Sequence, residues 1–414
     1  MVDSAHSIEN TKGGESMNSS RVRTSLWATV AAFGTYFCMH GFRKPFTAAT
    51  WDADPVGPWE FKTALVTSHI LGYMLAKVVG VRFVSELPRG YRAGATGMLL
   101  VAAHASLLLF ALVPAPWATG FMFLNGLALG LIFGLVIGFL EGRRWTEAMA
   151  AGLCASFIVA GGFSKSVGTW VLQQGIPEVW MPFVAGTLFV MPTALFVWML
   201  SVVPQPDAQD EALRSPRPEM TALDRAALWR AYWPGLICLF GVFLLVTVVR
   251  SMRDDFAPEI WQGLGVEITP ALYTWTDSLI AVTVLILMAS GTLIRDNYRA
   301  LAANLILSAC GLSVVLLGFA LWQWQRAGGI AIMLLIGWGL YLPYVAMHTS
   351  IFERLIAATR CRANVGFFIY FADSIGYIGY IAFMLIRPAI QSTSDSADIL
   401  RYFMTGTSVV AVLG

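Results

Sequence analysis

The sequence predicts an all-α membrane protein, with twelve transmembrane helices arranged as two pseudo-symmetric six-helix bundles. Three observations carry this: an apolar and sparsely charged composition, a succession of long apolar spans with loops of alternating charge, and a repeat at an offset of 207 residues. Of the 414 residues, 57% are hydrophobic and 13% charged, and the mean hydropathy is +0.67. An average soluble domain is about a quarter charged, so a soluble globular enzyme and a disordered chain are excluded. A net charge of +2 is too small for a nucleic-acid binder. The 38 glycines, 18 prolines and 15 tryptophans suit a polytopic membrane protein. Five scattered cysteines (Cys38, Cys154, Cys238, Cys310 and Cys361) form no CxxC pair and read as isolated reduced thiols.

Crossing about 30 Å of hydrocarbon takes roughly 20 apolar residues. Residues 1–24 are polar, lack the apolar core of a cleavable signal, and read as an N-terminal tail. The first bundle, residues 25–203, holds the spans Ser25–Trp51, Lys62–Val84, Ala93–Val113, Trp117–Leu140, Glu147–Leu172 and Val179–Val203. Residues 204–233, rich in Pro, Asp and Arg, read as a linker. The second bundle, residues 234–414, holds Pro234–Ala257, Ile268–Ile294, Leu301–Trp324, Gly328–Phe352, Ala363–Ile386 and Ile399–Gly414. The last run is about 24 Å long as a helix and stops inside an apolar stretch, so the twelfth helix is expected to be cut short.

Basic residues fill alternate loops: Lys12, Arg21 and Arg23; Arg82, Arg89 and Arg92; Arg143 and Arg144; Arg214, Arg217, Arg225 and Arg230; Arg295 and Arg299; Arg354, Arg360 and Arg362. The opposite loops include the acidic stretches Asp52, Asp54, Glu60 and Glu259, Glu267. The positive-inside rule puts both termini and the linker in the cytoplasm, as in a multi-pass protein of a bacterial inner membrane. Trp51, Trp59, Trp117, Trp180 and Trp261 are expected at the membrane interfaces.

The repeat aligns Phe33-Gly34-Thr35-Tyr36 and Arg43 with Phe240-Gly241-Val242-Phe243 and Arg250, and Tyr91-Arg92-Ala93 with Tyr298-Arg299-Ala300. Parallel six-helix repeats are a common transporter construction, with the substrate near the midplane between the halves. In its helix count, central linker and basic loops after the second and eighth helices, the chain resembles the major facilitator superfamily. Within that superfamily, Tyr36 to Phe46, with its Arg43-Lys44-Pro45-Phe46 ending, resembles the first-helix motif of the organophosphate:phosphate antiporters, the glycerol-phosphate and hexose-phosphate carriers. Arg250 followed by Asp254-Asp255-Phe256-Ala257-Pro258 resembles their seventh-helix motif. Phe157 stands at about the place of that family's fifth-helix histidine. The resemblance implies that Arg43 and Arg250 bind a substrate phosphate.

The residues support a related reading by themselves. A charge inside a span costs about 3 kcal/mol or more unless it is paired, hydrated or snorkelling. Tyr36, His40 and Arg43 fall on one helix face. Arg43 and Arg250 either meet across the cavity and hold an oxyanion in their planar forks, or Arg250 or Arg253 forms a structural pair with Asp254 or Asp277. Lys44 and Arg253 either add positive potential there or face the outer vestibule. Lys165 faces the cavity or snorkels outward, and Lys77 is expected to snorkel to the cytoplasmic end of its helix. Asp277 and Asp373 read as the deep acids, with Asp254 a turn beyond Arg250. They either neutralise Arg250 and Lys165 or carry protons. Tyr341, Tyr344 and His348 share a face of the tenth helix, which serves either packing or ligand contact.

No Walker A, HExxH, nucleophile elbow or metal-spaced cluster is present in the sequence. The expectation is therefore a non-enzyme without cofactor or metal, a monomer working in the lipid bilayer. Its expected function is secondary active transport of a small organic anion, phosphorylated anions included, by alternating access. Two alternatives stand beside it: a proton-coupled symporter of a neutral or carboxylated solute, and a membrane receptor that binds such a ligand without moving it.

Overall fold

The computed structural model describes residues 22–51, 53–140, 146–205, 222–291, 293–359, 365–390 and 396–414. Lys12, Arg21, Asp52, Arg143, Arg144, Arg214, Arg217, Arg360, Cys361 and Arg362, with most of the expected tail and linker, lie outside the described residues.

Twelve helices follow one another, and the described residues contain no strand. The first half holds α1 (22–39), α2 (Phe61–Glu86), α3 (Arg89–Leu112), α4 (Ala118–Gly130 continued by Ile132–Leu140), α5 (Thr146–Gln173) and α6 (Met181–Ser201). The second holds α7 (Ala222–Asp255), α8 (Pro270–Gly291), α9 (Asn297–Gln323), α10 (Gly329–Ala346), α11 (Val365–Ile390) and α12 (Ser396–Leu413). Among the described residues nine helical stretches are long and apolar enough to cross a membrane. The helices outside that set are α1, α5, which carries Ser164-Lys165-Ser166, and α12, which carries Asp398 and Arg401.

Two expected spans have different ends. The first, expected to run to Trp51, stops at residue 39 and gives way to short 3-10 turns, His40–Phe42 and Pro45–Ala48. Pro45 has no N–H for the Gly41 carbonyl and disfavours helical geometry at Lys44. The seventh begins at Ala222 rather than Pro234, so residues 222–233 are helical rather than linker. Beyond Phe256 it continues as a short helix, Ala257–Gly263, with Pro258 in its first turn, where a missing N–H costs nothing. Glu259 therefore belongs to a buried helical turn and not to a loop. Trp51 and Trp261 are likewise core residues and not interfacial ones, while Trp117 and Trp180 are exposed. The Trp51 indole donates to the Phe46 carbonyl at 2.8 Å.

Helix contacts here depend on small residues, because lipid supplies no hydrophobic drive between spans. A Cβ on Gly126 of α4 would strike the His69 carbonyl of α2, and one on Gly72 of α2 would strike the Phe123 carbonyl of α4. The two backbones are in contact there, which fixes the stretch of α2 that carries Tyr73. Between the halves, Gly162 of α5 brings that helix against α8, where an added Cβ would lie 2.6 Å from the Tyr273 carbonyl.

Candidate functional site

Arg43 sits at the break after α1, at the end of the 3-10 turn His40–Phe42. Its Cζ lies 4.1 Å from the centroid of the Tyr73 ring. The Tyr73 hydroxyl is 3.3 Å from that of Tyr36, and Tyr36 packs against Phe157 at 5.0 Å between centroids. His40 is buried, and its Nδ1–H donates to the Tyr36 carbonyl at 3.0 Å. Arg250, near the end of α7, repeats the arrangement. Its Cζ is 4.3 Å from the Tyr344 ring and 5.9 Å from the Tyr341 ring, both of α10. Its Nη2 makes one long contact of 3.4 Å to the Ser251 hydroxyl. The Nε atoms of Arg43 and Arg250 are buried without a hydrogen-bond partner, although both side chains keep partial exposure.

The other interior cations are paired. Lys165, on α5, is buried and donates to Asp254 Oδ1 at 2.5 Å and to the Asp254 carbonyl at 3.3 Å. Its Nζ is 3.9 Å from Asp277 Oδ2. Lys44 contacts Asp254 and lies 2.7 Å from Asp255, whose other oxygen accepts from the Tyr380 hydroxyl at 3.0 Å. Arg253 donates to Asp277 Oδ1 at 3.2 and 3.3 Å. Lys62 of α2 is held at 2.6 and 2.8 Å by Glu259. Arg387 of α11 lies 3.3 Å from Glu60 and donates to the Thr63 hydroxyl at 2.8 Å. Lys77 of α2 binds Asp373 of α11 at 2.7 Å. Among the described residues, no carboxylate lies in salt-bridge contact with Arg43 or Arg250, and the tyrosine faces beside them do not neutralise them.

The geometry places several of the expected residues differently. The structural pair anticipated for Arg250 or Arg253 forms with Arg253 and Asp277, leaving Arg250 without an acid. Lys165 does not snorkel outward, because Asp254 holds it inside. Lys77 does not snorkel either: Asp373, 296 positions away, draws it between the halves. Asp277 contacts Lys165 but not Arg250, and Asp373 contacts neither. Tyr341 and Tyr344 do meet Arg250. Sequence reasoning passed over Tyr73, Asp255 and the partnership of His348 with Asp373. A signal for Tyr73 existed, since it lies one helical turn before Lys77 on the same face of α2.

Fold and interior together define an all-α membrane protein of the major facilitator fold. Solved structures share it: the nucleoside transporter NupG (14% identity, TM-score 0.60, covering 94% of this chain and 97% of that chain), the partially occluded inward-open xylose transporter XylE from E. coli (12%, 0.61, 95% and 97%), and the peptide transporter POT in complex with alafosfalin (15%, 0.59, 93% and 92%). At these identities the likeness is one of fold. No curated protein matches the chain. Residues 45–414 match the family described as a family of unknown function, DUF5690, and the chain belongs to that family.

Proposed function

We propose that this protein is a secondary active transporter that moves a small organic anion by alternating access of its two bundles, with Arg43 and Arg250 as the anion's ligands. One observation carries the reading. These two guanidiniums occupy equivalent repeat positions, lie partly exposed over tyrosine faces, and have no carboxylate partner among the described residues. A cation–π contact is worth about 2 kcal/mol at best, less than an unpaired charge costs at membrane depth by most estimates. A phosphoryl or carboxylate group would supply the missing charge and fit the planar forks. Phosphorylated solutes are the finer form of the proposal. Lys44, Lys165 and the aspartates around them are the ion-paired frame beside the site, and Tyr36 and His40 support its wall.

Counterflow in proteoliposomes tests this. Labelled inorganic phosphate, sugar phosphates and dicarboxylates are offered to vesicles loaded with the unlabelled compound, with neutral sugars as controls. Exchange of at least one anion and of no neutral control is expected. Anion binding without any exchange would leave a receptor, and neither binding nor exchange would overturn the proposal.

A further inference from the structure

Pro343, inside α10, offers no N–H to the preceding turn. Four residues later the helix widens into a π turn, Met347–Ile351, a distortion that concentrates at functional sites. The turn carries His348, whose two ring nitrogens both face acceptors. Nδ1 is 2.9 Å from the Tyr344 carbonyl, and Nε2 is 3.1 Å from Asp373 Oδ1. A carbonyl oxygen has no proton, so Nδ1–H must be the donor, and a neutral imidazole has only that one N–H. The second contact needs another proton. Either Nε2–H donates to the carboxylate, or a protonated Asp373 donates to Nε2. Lys77, on the other carboxylate oxygen at 2.7 Å, favours the ionised acid and so assigns the proton to the ring. His40 shows the contrast: its Nδ1 meets the Tyr36 carbonyl, and a neutral ring satisfies that contact.

We propose that His348 and Asp373 form a proton-binding site between the bundles, coupled to the anion site at Arg43 and Arg250. The coupling rests on the transporter reading above; the proton site itself does not. Among charged and titratable groups, the ring meets Asp373 of α11 and Tyr344 of its own helix; Lys77 of α2 contacts Asp373, Tyr73 of α2 and Tyr377 of α11 lie beside Lys77, and Arg250 of α7 lies over Tyr344. The ring centroid of His348 is 4.5 Å from that of Tyr344, which lies under Arg250. Lys77 Nζ is 4.7 Å from the Tyr377 ring and 5.4 Å from the Tyr73 ring beneath Arg43. One aromatic wall thus joins the proton site to both arginines. Side-chain exposures of 11% for His348, 16% for Lys77 and 17% for Asp373 leave the site within reach of water. The chemistry is one N–H bond formed with a proton from water on one side and broken to water on the other. An anion on the arginines attracts that proton by Coulomb's law, so proton and anion bind cooperatively and move in the same direction.

The test has two arms. In the protein labelled with nitrogen-15 at histidine, the His348 resonance, assigned by its loss in His348→Gln, is expected to be that of imidazolium at neutral pH in the wild type and of a neutral ring in Asp373→Asn. A neutral wild-type ring overturns the proton site, whatever is transported. In proteoliposomes with labelled inorganic phosphate, an acid-outside gradient is expected to drive accumulation. His348→Gln should lower gradient-driven accumulation about tenfold more than it lowers exchange, within the usual range of coupling factors. Equal effects on both, or exchange with no response to the gradient, overturns the coupling. An imidazolium ring without phosphate exchange supports the proton site and counts against phosphate in the anion reading.

Discussion

Arg43 and Arg250 differ from their charged neighbours in what surrounds them. Lys165, buried on α5, is held by Asp254, whereas the two arginines lie against tyrosine rings. Replacing either arginine by lysine keeps the charge and removes the fork. Each charge-assisted hydrogen bond lost is worth about 1.5–3 kcal/mol, so Arg43→Lys and Arg250→Lys should each weaken anion binding roughly ten- to hundredfold. The double variant should cost less than the two singles together, because both residues hold one ligand. Equilibrium binding of the exchanged anion checks this, and wild-type affinity in both singles would leave the arginines without a ligand role. At this scale the sequence was legible where a charge interrupted an apolar run, which brought out Arg43, Lys165, Arg250, Asp277 and Asp373. Pairing was not legible. Lys77 stands near a helix end, where local reasoning favours snorkelling, and only the apposition of α2 and α11 brings Asp373 to it.

The helices impose their own constraints on that chemistry. Among the described residues, nine of them meet the apolar length of a span by themselves, whereas α1, α5 and α12 do not, and the ends of the first and seventh spans moved. The break after α1 follows from Pro45, and it places Arg43 at the end of a 3-10 turn. The contact of α5 with α8 was invisible in sequence, because a glycine in a membrane helix does not announce which neighbour it admits. Gly162 is the point of contact: an added methyl would lie 2.6 Å from the Tyr273 carbonyl and 2.8 Å from Asp277 Cβ. Gly162→Ala should therefore push the helices apart, disturb the Lys165–Asp254–Asp277 group and destabilise the protein by about 1–3 kcal/mol, as overpacking does. Gly241→Ala on α7 is the control, since nothing lies within 4 Å of the added carbon, and it should be neutral or stabilising by up to about 1 kcal/mol. Thermal unfolding in detergent distinguishes them. Equal melting temperatures would mean that α5 and α8 separate without cost.

Across the whole molecule, the two halves are tied by ion pairs at the end that carries the loops 50–60 and 264–269. Lys44 reaches Asp255, Lys62 reaches Glu259, and Arg387 reaches Glu60. None of these links was legible in the sequence, since each joins residues about 200 or more positions apart and depends on how the halves face each other. With the termini proposed as cytoplasmic, a reporter fused within residues 206–221 should report cytoplasm, and one near Asp54 the opposite side. On the transport proposal, alternating access would break the three links in each cycle, so their strength would set the balance between the states. Removing one partner of a buried pair strands a charge at a cost of about 3–5 kcal/mol, which would confuse gating with misfolding. The cleaner variant is the double Lys62→Gln, Glu259→Gln, which removes both charges and keeps similar shapes. It should fold, retain exchange, and shift the population toward opening at that end, since the cross-bundle attraction is lost while no charge is left unpaired. Spin labels at Ala53 and Gln262 would report a longer distance component that grows in the double variant. An unchanged distribution would show that the pair does not hold the halves together, and that closure there rests on Lys44, Arg387 and the packing around Phe256.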